Sequence, residues 1–377
     1  NPTMTPADEQ PPLLYRMPAE GLQDLFDALL GQGRRLLGPV LRDGAVAIDA
    51  ISDSSQLPRG VTDVQRAGAY RLEQSDAPHL FAFNLGADSW KRYLFPSRDL
   101  LLELGPDLIA TSAPRPVPEN FAFIGMRACD LAAVEVQARV FTNGDGRYLR
   151  RLQSSFIVAV HCQTAADTCF CSSMQTGPEF PPSEHLDLLL TEIVEGAEHF
   201  FLAQPHSAQA ASLLEDISCP AAGPQDPSRI EAQLRQTRKQ IQRSMPPTAP
   251  ALLADNPEAA HWDDVAERCL ACGNCTAVCP TCFCSDVVEV TDVTADTSQR
   301  WQVWDSCFNA SHSYTHGGTL RPSTRARYRQ WLTHKLSSWH QQFGTSGCVG
   351  CGRCVTWCPV GIDLLDEVAA IAQEVAD

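Results

Sequence analysis

Residues 269–280 read CLACGNCTAVCP and residues 348–359 read CVGCGRCVTWCP. Both follow the pattern C-x2-C-x2-C-x3-C-P. Three cysteines spaced this way let a tight loop wrap one corner of a [4Fe–4S] cube, while the fourth, opening a short helix, is aimed at a different cube. Gly273, Gly350 and Gly352 let backbone N–H groups approach the inorganic sulfurs, and the proline after each fourth cysteine redirects the chain. The spacing therefore predicts crossed ligation. Cys269, Cys272, Cys275 and Cys358 surround one cluster; Cys348, Cys351, Cys354 and Cys279 surround the second. C-x2-C pairs also suit structural zinc, but the 2-2-3 spacing with a trailing proline, occurring twice, argues against a pair of zinc sites.

Two such motifs are the mark of the bacterial two-cluster ferredoxin, and they predict a mainly helical ferredoxin-like domain over residues 259–377. A long insert, 281–347, stands where a small ferredoxin has a brief connection. Within it, RWQVWDSC (300–307) alternates like a strand, and RPSTRARYRQWLTHKL (321–336) reads as a helix beginning after Pro322. Arg325, Arg327, Arg329 and Lys335 make that helix basic. They either compensate anionic clusters, meet a partner, or form a solvated face.

The pentapeptide TCFCS occurs at 168–172 and again at 281–285. Upstream of the first copy, FAFIGMRACDLAAVEVQARVF (121–141) reads as strand, turn and helix. This puts Cys129 at a helix N-terminus, which favours thiolate over thiol. SFIVAVHC (155–162) reads as a buried strand ending in Cys162. Strand ends converge at one edge of a parallel α/β sheet, so Cys129, Cys162, Cys169 and Cys171 are expected to gather as a third [4Fe–4S] site. A four-cysteine zinc site and ordinary buried thiols are the alternatives. In the second copy, Cys282 and Cys284 are surplus to the crossed count, as are Cys219 and Cys307. They are expected as bystander thiols near a cluster, unless they replace Cys279 or build a further site with Cys307.

The remaining chain reads as α+β over 1–120, α/β over 121–220, and a helix with linker over 221–258. EGLQDLFDALL (20–30) is an amphipathic helix; GAVAIDAI (44–51) and HLFAFNL (79–85) are strand-like; HLDLLLTEI and HFFLAQ add strands, and SRIEAQLRQTRKQIQRSM (228–245) a helix. GQGRRLLG (31–38) follows a helix and lacks a third glycine, so it is a turn and not a dinucleotide fingerprint. His161, His185 and His199 are scattered and read as packing residues. A net charge of −16 argues against a nucleic-acid binder, and no apolar run is long enough to span a membrane. Sixteen cysteines in a chain of 377 residues without a visible secretion signal point to metal or redox use in a reducing cytoplasm. Phosphate loop, Ser–His–Asp order and nickel-binding cysteine pairs are all missing. Such a chain carries electrons and has no visible site for making or breaking substrate bonds.

LPRGVTDVQRAGAYRL (57–72), SWKRYLFP (89–96), GMRACDLAAVEV (125–136), TCFCSSMQTGPEF (168–180), CLACGNCTAVCPTCFCSDVVEV (269–290), WDSC (304–307) and SGCVGCGRCVTWCPVGIDL (346–364) together resemble a known family. It is the iron–sulfur β subunit of soluble group 3b nickel–iron hydrogenases, the sulfhydrogenases; the related iron–sulfur subunit of anaerobic sulfite reductase is equally similar. The chain departs from the pattern at Ala128, where proline is expected, and at Gln175, where glycine is common. The resemblance implies a non-catalytic relay. Electrons would pass singly through [4Fe–4S] clusters between a flavin subunit that handles NAD(P)H and the small and large subunits of a nickel–iron hydrogenase. The same relay feeding a sulfite reductase is the alternative, and an iron–sulfur redox sensor a further one.

Overall fold

The computed structural model describes residues 13–376, apart from 106, 108–109, 112–118, 145 and 295–296. Phe121–Met126 and Phe156–Val160 are buried at every residue. A strand apolar on both faces belongs inside a parallel sheet covered on both sides. Both lie at the middle of a seven-stranded sheet, in the order Tyr15–Pro18, Glu198–Pro205, Leu188–Glu195, Phe156–Val160, Phe121–Met126, Arg35–Arg42, Ala45–Ala50. Pairing is parallel across the four strands from Leu188–Glu195 to Arg35–Arg42 and antiparallel at both edges. Helix Gly21–Gly31 and the sheet share one core, with Leu25, Phe26, Phe123, Ile157, Leu190 and Phe201 buried in it.

The stretch 79–85, strand-like in sequence, is not a strand. Leu80 and Phe81 donate their N–H groups to the buried Glu192 carboxylate at 2.6 and 3.0 Å, and Arg127 donates to the carbonyls of Phe81 and Phe83 at 2.6 and 3.0 Å. Two buried side chains thus satisfy the backbone that a ladder would otherwise satisfy. The helix expected over 228–245 spans Asp226–Gln240, and Met245 turns into a second core.

That second core joins Trp262 and Val265 of helix His261–Arg268 to Leu364, Val368 and Ile371 of helix Leu364–Ala376, and to Tyr328, Trp331 and Leu332. The last three come from the insert, whose helix Thr324–Thr333 continues through a π turn, His334–Ser338, into Trp339–Phe343. The first half of the insert is a hairpin, Ser285–Thr291 with Ser298–Trp304, and it pairs with strand Arg98–Leu104 of the N-terminal region. The insert is therefore a bracket between the two halves.

Three further contacts bind those halves. Hairpin Val61–Arg66 with Ala69–Gln74 holds the end of the second cysteine motif: Gly68 N–H donates to Val355 O at 3.1 Å, and Tyr70 stacks on Trp357 at 5.4 Å. The first TCFCS places Phe170, fully buried, in the C-terminal core. The second places Phe283 against Phe141 of the N-terminal helix Ala128–Phe141 and against Trp339. The two copies are reciprocal plugs, each set into the other half.

Candidate iron–sulfur centres

Two short loops, each closed by a left-handed glycine before a one-turn helix, carry the cysteine motifs. Gly273 precedes Asn274–Ala277 and Gly352 precedes Arg353–Thr356. Cys269, Cys272, Cys275 and Cys358 line one cavity together with Tyr328 and Trp331. Cys348, Cys351, Cys354 and Cys279 line another with Lys335 and Thr281. Cys358, last in its own motif, thus faces the first motif, and Cys279 faces the second. Cys354 borders both cavities.

Backbone N–H groups are turned onto the sulfurs. Ala271 N–H donates to Cys269 Sγ at 3.4 Å, Gly350 N–H to Cys348 Sγ at 3.4 Å and Ile362 N–H to Cys358 Sγ at 3.3 Å. Burial drives Cys275, Cys351 and Cys354 upward in pKa and Cys348 up to about 12. Cys279 moves the other way: a hydrogen bond from Cys282 holds it well below the ordinary thiol value, against the effect of burial and aided by the Lys335 ammonium.

Cys162, Cys169 and Cys171 fall within electrostatic reach of one another, and Cys129 within reach of Cys171 and Cys351. Cys129 and Cys162 follow the C-terminal ends of strands Phe121–Met126 and Phe156–Val160 in the chain. One expectation is corrected here. Burial raises the pKa of Cys129 well above the usual thiol value, with the Asp130, Cys351 and Cys171 charges adding to it, so desolvation outweighs the helix N-terminus. The other surplus thiols divide. Cys282 contacts Cys279, whereas Cys284 contacts Cys307, whose hydrogen bond brings Cys284 down to about 6. Cys219 packs on the core of the large sheet.

The residues fit clusters on independent grounds. Tyr328 and Trp331 border the first cavity, and Tyr328 Oη and Trp331 Nε1 are buried without a hydrogen-bond partner. An Arg353 guanidinium nitrogen is likewise unpartnered, on a side chain within reach of Cys351 and Cys129. Buried donors of this kind are expensive unless something accepts from them, and sulfide or thiolate would. Among the described residues, no three His, Cys, Asp or Glu side chains are placed to hold a single metal ion.

Sequence reasoning missed the roles of Asp130, Arg353 and Lys91 around these thiols. Asp130 accepts from Arg353 at 2.7 Å, an ion pair only 1% and 5% exposed that spans the two halves. Its signal is Arg353 itself, standing where the first motif has Asn274. Lys91, also buried, donates to Cys282 O at 3.2 Å and lies over Trp304 at 4.0 Å. The basic insert helix splits: Arg325 and Arg329 pair with Glu258 near the surface, whereas Lys335 turns inward to Cys279. Three histidines are hydrogen-bonded to neighbouring side chains. His161 bonds Thr191 Oγ1 at 2.8 Å, His185 bonds Glu135 at 3.0 Å and His199 bonds Glu192 at 2.8 Å.

Residues 268–362 match the family described as a 4Fe-4S dicluster domain. No solved structure matches the chain. No helix among the described residues is long and apolar enough to cross a membrane. Over 263 residues, 66% of this chain and 74% of the relative, the sequence is 30% identical to the sulfhydrogenase 2 subunit beta of Pyrococcus furiosus. With its cysteine loops, their buried donors and this likeness, the chain belongs to the sulfhydrogenase β-subunit family and is an iron–sulfur electron-transfer subunit.

Proposed function

We propose that the chain is a three-cluster wire between a flavin subunit that handles NAD(P)H and the small and large subunits of a nickel–iron hydrogenase. Cys269, Cys272, Cys275 and Cys358 hold the first [4Fe–4S] cluster; Cys348, Cys351, Cys354 and Cys279 hold the second; Cys129, Cys162, Cys169 and Cys171 hold the third. Each bound cluster takes up and releases one electron. The observation that carries this reading is continuity. Cys354 borders the cavities of both ferredoxin motifs, and Cys351 lies within reach of Cys129, Cys169 and Cys171. The thiols form a row with the second set in the middle. The chain's own residues orient the clusters through backbone N–H donors and bury them away from water. Hydride chemistry and hydrogen activation fall to the partners.

Anaerobic reconstitution tests the count and the ligation together. Three cubes correspond to about 12 iron atoms per chain. Cys279→Ala is expected to damage the cluster held by Cys348, Cys351 and Cys354 while the one beside it in sequence survives. About 8 iron atoms would remove the third cluster, and loss of the Cys269/Cys272/Cys275 signal in that variant would overturn the crossed ligation.

A further inference from the structure

Lys335 is 2% exposed and sits in the π turn His334–Ser338, a helix irregularity common at functional sites. Its ammonium donates to Cys279 Sγ at 3.3 Å, to Thr281 Oγ1 at 3.1 Å and to Gly347 O at 3.1 Å. Three donors meet three acceptors, so the hydrogen bonding is complete. The charge is another matter, because none of those partners is a carboxylate. A buried cation without a counter-charge is strongly unfavourable, and the sulfur of Cys279 is the partner able to carry negative charge. Thr281, from the second TCFCS, donates in turn to Gly347 O at 2.6 Å. This seats the threonine oxygen to accept from the lysine. The first cysteine set is treated differently: the contacts to Cys269 and Cys358 are neutral backbone N–H groups.

We infer that Lys335 is a potential-setting residue, whose fixed charge against Cys279 makes the second cluster easier to reduce than a neutral side chain there would. This rests on the ligation proposed above. Reduction adds one electron and no proton, and a nearby buried cation stabilises the added negative charge at low local dielectric. The insert then has a task in the relay: it carries the cation into the middle of the row, and its TCFCS builds the seat.

The test is an anaerobic redox titration, followed by electron paramagnetic resonance, of the whole reconstituted chain and of Lys335→Met and Lys335→Gln. The second cluster is identified as the signal that Cys279→Ala removes. At a fixed potential, its ratio of reduced to oxidised form is expected to fall about tenfold in both variants, equivalent to about 59 mV for a one-electron couple. The first cluster should not move. An unchanged ratio in cluster-loaded variants overturns the inference and leaves the ligation standing. Loss of the second cluster, or of the fold, in both variants also overturns it, by making Lys335 a structural residue. If Cys279→Ala removes no signal assignable to the second motif, the ligation itself fails, and the inference falls with it.

Discussion

At positions 271 and 350 an alanine and a glycine occupy the same place in two copies of one loop. Both have left-handed backbones, at φ +50° and +65°. A side chain is tolerated at 271 but not at 350, because a Cβ there would lie 2.7 Å from the backbone of Cys171. Gly352 is pressed in the same way against Thr168 O, at 2.4 Å. The second motif therefore lies flat on the first TCFCS, with Phe170 N–H donating to Gly350 O at 2.9 Å. Gly350→Ala is expected to cost about 2–4 kcal/mol, from the left-handed conformation and overpacking together. Ala271→Gly should change stability by less than about 1 kcal/mol. Denaturant unfolding of the loaded chain measures both, and equal losses would remove the close-packing explanation. Gln175, at φ +58°, likewise stands in a conformation that glycine adopts more easily, which is where the family resemblance puts a glycine.

Helix Ala128–Phe141 carries several ties between the two halves. It starts at Ala128, a first-turn position where proline would fit equally well. Asp130 reaches Arg353, Ala133 and Val136 pack near Trp339, and Phe141 meets Phe283. Glu135 ties the segment before strand Leu188–Glu195 to the helix through His185. The Glu135 hydrogen bond raises the His185 pKa above 6.5. Burial pushes Glu135 up, but hydrogen bonds from His185 and Ser183 outweigh it and hold the carboxyl below 4.5. The His185 contribution is thus complete below pH 6.5 and lost as pH rises through its raised folded value. The Glu135 contribution is complete above 4.5 and lost as pH falls through its lowered one. Stability from this pair peaks between those two values. Both side chains keep some access to solvent, at 15% and 27% exposed, and screening limits the effect to about 0.5 kcal/mol. Unfolding midpoints at about pH 5 and about pH 8 should show that fall in the native chain and a correspondingly smaller one in His185→Gln.

For the whole molecule, the proposed wire makes its middle set of thiols indispensable. Cys351 borders the second cavity and lies within reach of Cys129, Cys169 and Cys171. Replacing it removes a ligand from the central cluster under the proposed assignment. Cys351→Ala is expected to abolish electron flow between nicotinamide and hydrogen in the assembled complex. Each partner's half-reaction with an artificial dye should survive, since the dye bypasses the chain. The isolated chain should accept electrons from dithionite but turn over neither NAD(P)H nor hydrogen. Dye-linked NADPH oxidation by the purified single chain would sink the wire and place an unrecognised site within residues 1–220.

Local spacing settled which chemistry this chain is built for. The 2-2-3 cysteine pattern is a short-range geometric demand, and it can be read residue by residue from positions 269–280 and 348–359. Continuous apolar runs such as Phe156–Val160 announced buried parallel strands for the same reason, since burial on both faces needs no distant information. Only the tertiary structure decided what surrounds the sulfurs. Lys335, Lys91, and the Arg353–Asp130 pair are separated from their partners by between 56 and 223 positions, and a charge on a helix face looks the same in sequence whether it ends in water or against a thiolate. The failed strand at 79–85 has the same cause. Its apolar run is real, but the partners that satisfy its backbone are Glu192 and Arg127, brought in by other elements. Long-range pairing of buried polar groups depends on how the two halves dock, and that docking is set by surfaces that no single stretch of the chain contains.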